Sequence, residues 1–355
     1  MQLANVAVLA LALVLVAHAI PWSRATLSAR TGPPIAQTRA WGYQLRELRP
    51  DAPIPKEIDL LVVDHFRDGG DVGALTAAEV ERLRRRTTGS PRIVLSYLSI
   101  GEAERSRYYW RGHWRYWRPG WLGRESPRRK DNHPVRYWEP GWQRLILSPE
   151  RTVLDAVIER LTDGRTPYLD RIIDAGFDGV YLDHVDAFRQ WTAERRDAER
   201  AMVRLVADIS RYAKTRRPGF LVVPQNAEEL LRLKSYREAV DGIAREDLLL
   251  GRGGDGKPDP AHDIKTALAH LKRARADGLP VLVVEYLERA DQRRQALALA
   301  DEQGFVMLFA QRPLDRPPRL VSREAPSPAP AAAPSQVAPW APMAPAAPLG
   351  PWPSR

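Results

Sequence analysis

GVYLDHVDAF, residues 179–188, begins as an apolar strand and ends in two carboxylates and an imidazole. Val180, Tyr181 and Leu182 suit a strand buried on both faces, yet Asp183, His184 and Asp186 follow at once. A charged group beside a core is costly unless it is paired, hydrated or used. A single ending of this kind is an ordinary cap or ion pair. The fold is decided by whether other strands end alike.

They do. Short runs rich in Val, Ile and Leu recur as AWGYQL from Ala40, DLLVVD from Asp59, RIVLSYLSIGE from Arg92, FLVVPQN from Phe220, GIARED from Gly242, VLVVEY from Val281 and FVMLFA from Phe305. Such runs suit strands covered on both faces. Helical patterns fill most of the gaps. Thr76 and Glu79 form a T-x-x-E capping box, followed by Val80 and Leu83 on one face. Met202, Leu205, Val206, Ile209 and Tyr212 make a stripe that Pro218-Gly219 halts, and Ile264, Leu268 and Leu271 repeat the device before Gly278. Strands alternating with helices pair in parallel through crossovers, so the pattern predicts a single-domain α/β fold, a (β/α)8 barrel over residues 36–323. A doubly wound sheet is the alternative. In a barrel the C-terminal strand ends meet on one rim, where such enzymes keep their active sites. That rim would collect Asp64, Glu102, Asp183, Asp186, Gln225, Asn226, Glu246, Asp247 and Glu285.

The two ends of the chain read differently. Residues 1–19 carry an apolar stretch and then Ala17-His18-Ala19, the form of a signal peptide with its cleavage site, so the chain is expected to be secreted or periplasmic, with an uncleaved anchor as the alternative. Residues 324–355 are rich in proline and alanine and predict a disordered tail. Cysteine is absent, so no disulfide framework is expected. The formal net charge of +10 is concentrated: between Arg105 and Arg136 ten basic residues face only Glu125 and Asp131.

Clustered acids serve few chemistries. A zinc or iron centre would want more histidines at ligand spacing, and no H-E-x-x-H occurs. An oxygen-only calcium or magnesium site is a weaker alternative. A G-x-S-x-G elbow is missing. Glycoside hydrolysis needs what is present: one carboxyl group to protonate the leaving oxygen and another to attack the sugar or activate water. The segments YYWRGHWRYWRPGW (108–121) and VRYWEPGW (135–142) carry six of the eleven tryptophans and suit sugar platforms, with Tyr108, Tyr109 and Trp110 foremost. Single-stranded nucleic acid would also stack there beside arginines, but the carboxylates would repel its phosphates. A catalytically silent carbohydrate-binding barrel at the envelope is the other alternative.

W-G-Y-Q-L, S-Y-L-S-I-G-E-A-E followed by Y-Y-W, G-F-D-G-V-Y-L-D, V-P-Q-N-A-E-E-L, R-E-D-L and V-V-E-Y together resemble glycoside hydrolase family 114. This is the endo-α-1,4-polygalactosaminidase-like family, whose relatives carry the label cysteinyl-tRNA-synthetase-like extracellular proteins. The resemblance runs from about Ala40 to Ala310. It implies a (β/α)8 barrel that cleaves galactosamine-containing polysaccharide, with Asp183 and Glu246 as the catalytic pair. By analogy with related retaining barrels, Asp183 would be the nucleophile and Glu246 the acid/base. Asp64, Glu102, Tyr108, Tyr109, Trp110, Asp186, Gln225, Asn226, Asp247, Glu285 and Tyr286 would contact substrate. No metal or organic cofactor and no nucleic acid are expected, the protein should be a monomer, and its basic loop suits contact with an envelope surface.

Overall fold

Every apolar run forms a strand, because successive Val, Ile and Leu side chains find packing partners only when both faces of the strand are covered. In chain order the strands are β1 (Trp41–Gln44), β2 (Leu60–Asp64), β3 (Ile93–Ser99), β4 (Glu102–Glu104), β5 (Asn132–Pro134), β6 (Gly179–Asp183), β7 (Leu221–Pro224), β8 (Ile243–Glu246), β9 (Val281–Glu285) and β10 (Val306–Phe309). The computed structural model describes residues 35–67, 73–87, 89–127, 129–147, 166–251 and 257–320. The expected signal segment and Pro/Ala-rich tail lie outside these residues.

Helices among the described residues are α1 (Ala77–Arg84), α2 (Pro140–Ile146), α3 (Tyr168–Asp174), α4 (Phe188–Trp191), α5 (Ala198–Arg216), α6 (Lys234–Ala239), α7 (Ala261–Ala276) and α8 (Ala290–Gln303). The capping box at α1 is formed: Glu79 N donates to Thr76 Oγ1, and Thr76 N donates back to Glu79 Oε2. On α5, Met202, Leu205, Val206 and Ile209 are buried, and the helix stops at Arg216, ahead of the Pro218-Gly219 break. On α7 the buried stripe is Ala267, Leu271 and Ala274; Ile264 and Leu268 are only half-buried, one step around the helix from the expected face.

Strands β1, β2, β3, β6 and β7 pair in that order, and β8, β9 and β10 form a second set, all in parallel. A parallel bridge from Gln225 to Ala244 joins β7 to β8. On the other side Trp41 Nε1 donates to Val306 O at 3.0 Å, tying β1 to β10. The order is therefore that of a closed eight-stranded α/β barrel. Its two faces are separate cores. Trp41, Leu60, Leu95, Tyr181, Val223, Ala244, Leu282 and Leu308, from all eight strands, fill the interior. Leu61, Val94, Val180, Val222, Ile243 and Val283, of opposite parity, pack outward among the residues of the helices. The β4–β5 hairpin is antiparallel and was not expected. It forms the base of a long arm between β3 and α3.

Candidate active site

Beyond the inner apolar layer, the strand alternation places Asp183 and Glu246 on the inward face, two residues past Tyr181 and Ala244. Tyr97, level with Tyr181 on the adjoining strand, donates its hydroxyl to Asp183 Oδ2 at 2.7 Å. Asp183 Oδ1 accepts His184 N at 2.7 Å. Glu246 is held from two sides: Tyr286 OH donates to Oε1 at 2.5 Å and Gln225 Nε2 to Oε2 at 2.8 Å. Burial raises the pKa of Glu246, the Tyr286 hydrogen bond opposes that rise, and the charges of Asp183 and Asp247 add to it. Tyr43, Tyr97, Tyr181 and Tyr286 surround the pair. Burial first, then neighbouring phenols and carboxylates, push all four hydroxyls well up, so they remain protonated donors.

Three strand ends share one backbone device. His184 follows Asp183 with φ 56°, Asn226 follows Gln225 with φ 60°, and Asp247 follows Glu246 with φ 51°. Left-handed backbone at residues with a Cβ is uncommon, and it gathers where side chains must be aimed. Asn226 spends its Oδ1 on Glu246 N and Arg245 Nη1, fixing the end of β8 to that of β7. Asp247 is gripped through both oxygens by Arg312, whose guanidinium lies 4.5 Å over the Tyr286 ring.

The arm supplies cations to the rim. Arg107, itself buried, bonds both oxygens of buried Asp64 at 2.9 and 2.7 Å and also meets Tyr168 OH. Burial nevertheless raises Asp64 to a pKa of about 6, against the opposing pull of Arg107. Glu102, also buried, accepts Arg129 Nη2 at 2.7 Å and Asn132 Nδ2 at 3.2 Å. Arg129 Nη1 also meets His184 Nε2. Since a guanidinium only donates, that nitrogen accepts, and His184 Nδ1 carries the proton toward Ser99 Oγ at 2.9 Å. Gly101 lets this assembly close, because a Cβ there would stand 2.1 Å from His184 O.

The expected sites therefore separate. Asp183, Gln225, Glu246 and Tyr286 form one hydrogen-bonded and electrostatic group, with Asp186 and Asp247 at its edge. Asp186 is partly exposed, pairs with Arg189 at 3.2 Å and has its pKa raised by burial. Asp64 and Glu102 are instead saturated by the arm, which corrects their expected contact with substrate. Glu285 is corrected too. It falls on the outward parity of β9, is 0% exposed, and accepts Leu248 N and Leu249 N at 2.9 Å each. Tyr108 and Tyr109 are likewise buried: Tyr108 OH donates to Thr166 O, and Tyr109 OH accepts Glu104 N. They pin the arm rather than face a ligand. Trp110 is half-buried against His133 and Trp114.

Sequence reasoning missed Tyr43, Tyr97 and Tyr181, the donors and walls beneath the two carboxylates. The signal was present as a tyrosine two residues before a polar strand end, in SYLS and VYLD. It also missed Arg107, Arg129 and Arg312 as partners of the acids. Among the described residues, no group of three or more His, Asp or Glu is placed to hold a metal ion.

Known proteins resemble the chain in family and in fold. The family model "Glycoside-hydrolase family GH114" matches residues 23–325. An uncharacterized protein of Deinococcus radiodurans is 32% identical over 287 residues, covering 80% of this chain and 84% of its own. One from Thermotoga maritima is 31% identical over 254 residues, 70% of this chain and 71% of its own. Among solved structures, the glycoside hydrolase domain of PelA from Pseudomonas aeruginosa has a TM-score of 0.53 at 19% identity. It covers 79% of this chain and 97% of that domain, a likeness of fold.

Proposed function

The chain belongs to glycoside hydrolase family GH114, and from that membership we propose that it is an exported, endo-acting hydrolase of galactosamine-containing polysaccharide. In this reading Asp183 is the nucleophile and Glu246 the acid/base. The observation that carries it is that the two carboxylates share the inward face, each held by a phenol and within one another's field. Glu246 is desolvated, lies within the field of Asp183 and has a raised pKa, as a group that must hold a proton near neutral pH requires. Asp183 accepts a phenol and a backbone N–H, which fix where its carboxylate points.

The chemistry follows in two steps. Glu246 gives its proton to the glycosidic oxygen while Asp183 attacks the anomeric carbon, forming a glycosyl ester and releasing one chain end. Glu246 then takes a proton from water, which displaces Asp183. A retaining pair of this kind holds its carboxyl groups roughly 5–5.5 Å apart. Tyr286 and Gln225 fix the orientation of Glu246, and Tyr97 fixes that of Asp183. Asp186 and Asp247, each paired with an arginine, stand at the edge of the site. Two of the ten basic residues of the arm, Arg107 and Arg129, are spent on Asp64 and Glu102.

The test is turnover by the purified full chain on deacetylated, partly acetylated and fully acetylated α-1,4-galactosaminoglycans, with product sizes read out. Short oligosaccharides should appear from the chains that keep free amines. Asp183→Asn and Glu246→Gln should each lower the rate by about 10³-fold or more while the fold persists. A folded Asp183→Asn protein with wild-type turnover would remove Asp183 as nucleophile and leave Asp186 as the next candidate.

A further inference from the structure

The arm that begins at β4 carries a tip outside the hydrogen-bonded group of Asp183, Gln225, Glu246 and Tyr286. Of three large hydrophobic side chains exposed among the described residues, two are neighbours on this tip: Tyr116, 67% exposed, and Trp117, 75%. Their rings lie 6.3 Å apart and nearly edge to face. Large exposed apolar surface that is contiguous marks interaction sites.

The tip is built firmly. Trp114 is buried beneath it and packs on Trp110 at 5.4 Å and Trp121 at 5.1 Å, and Trp121 in turn meets Trp142 at 5.2 Å. Backbone bonds from Tyr116 N and Trp117 N to His113 O, both 2.9 Å, fix the turn itself. Two rings are thus displayed at the end of a base of buried indoles.

Its charge is one-sided. Arg115 lies over the Tyr116 ring at 4.6 Å, Arg118 donates to Gly123 O, and exposed Arg124 follows Gly123 in the chain. The two acids of the segment are engaged elsewhere: Glu125 accepts Asp131 N, and Asp131 pairs with Arg105. Among the described residues the other large hydrophobic side chain so exposed is Leu320, outside the arm, so the surface offers flat faces and guanidinium forks rather than a wedge for acyl chains. Aromatic faces stack on the C–H faces of sugars, and guanidinium groups pair with carboxylates through two parallel hydrogen bonds.

We propose that this tip is a docking surface for a carboxylated polysaccharide, with Tyr116 and Trp117 stacking on sugar rings and Arg115, Arg118 and Arg124 pairing with uronate groups. On the proposed function such a strand would meet the carboxylates of Asp183 and Glu246, so it is held on the arm and is not the polymer cut. The surface would keep the hydrolase within a mixed matrix in which anionic chains accompany its substrate.

The test is binding of the full chain to polygalacturonate by affinity electrophoresis and calorimetry, beside neutral dextran, heparin, single-stranded DNA and anionic phospholipid vesicles. Saturable binding to polygalacturonate is expected. Trp117→Ala should weaken it at least about tenfold, as loss of an aromatic anchor does, and Arg115→Glu with Arg118→Glu should abolish it. These side chains are exposed, so unfolding temperatures should be unchanged. Failure to bind polygalacturonate would overturn the proposal. So would equal binding of heparin or DNA that Trp117→Ala leaves intact, or binding of vesicles in its place. Because the assay cleaves no bond, its outcome is independent of what the cleft hydrolyses.

Discussion

Replacing Tyr286 by Phe isolates one hydrogen bond at the proposed acid. Tyr286 OH donates to Glu246 Oε1 at 2.5 Å and holds the pKa of Glu246 below the level that burial alone would set. Phe keeps the ring beneath Arg312 and removes only the donor. A hydrogen bond to a charged acceptor contributes about 1.5–3 kcal/mol, and each pKa unit corresponds to about 1.4 kcal/mol. Loss of the donor destabilises the carboxylate, so the pKa of Glu246 should rise by about 1–2 units. The protonated acid would persist to higher pH, and the alkaline limb of kcat/KM should move up by that amount. The maximal rate should fall modestly, because a weaker acid transfers its proton less readily. The assay is the pH profile of kcat/KM on a soluble oligogalactosaminide for wild type and variant, with unfolding temperatures as the control. An alkaline limb that stays in place, or moves down, would refute the assignment of Glu246 as the acid tuned by Tyr286.

Arg107→Met strands buried Asp64 without its cation, and breaking a buried pair in this way costs about 3–5 kcal/mol in urea denaturation. Adding Asp64→Asn should recover part of that loss; a single variant as stable as wild type would show that the pair is not holding the arm to the barrel. Glu285 has a folded pKa of about 7, above its ordinary 4.5, so it contributes stability that is full below about pH 4.5 and is lost as pH rises through 7, a span of about 3 kcal/mol. Glu285→Gln keeps the acceptor for Leu248 and Leu249, and the difference in stability between variant and wild type should therefore change in the variant's favour from about pH 5 to about pH 8. Gly101→Ala would press a Cβ onto His184 O, so it should lower the unfolding temperature and depress turnover together, and a variant indistinguishable from wild type in both would contradict the close packing behind Asp183.

The strands were legible because burial on both faces demands unbroken apolar runs, and each run proved to be a strand of the parallel barrel. The same feature hid the parity. In VLVVEY every position is apolar up to Glu285, so nothing in the run says which alternate residues face inward. One step separates Tyr286, which reaches Glu246, from Glu285, which faces outward under the loop after β8. In GVYLD the parity was no clearer, and Asp183 was singled out by family likeness rather than by alternation. The fate of Asp64 and Glu102 was hidden for another reason. Their partners Arg107 and Arg129 lie 43 and 27 residues away on the arm, and a charge count reveals an excess without saying which cations turn back to the rim. The aromatic segment was legible as a feature but not as a surface, since most of its rings interlock beneath the two that are displayed.

The central claim is that Asp183 forms a covalent bond to the sugar while Glu246 moves the protons. An aryl oligogalactosaminide with a good leaving group needs no acid for the first step, whereas its ester intermediate needs a base for the second. In Glu246→Gln that intermediate should accumulate. Intact mass and peptide mapping should then find one glycosyl group on the peptide that carries Asp183, absent when Asp183→Asn is added. An adduct on Asp186 or elsewhere, or rapid release of product with inverted anomeric configuration and no adduct, would contradict it.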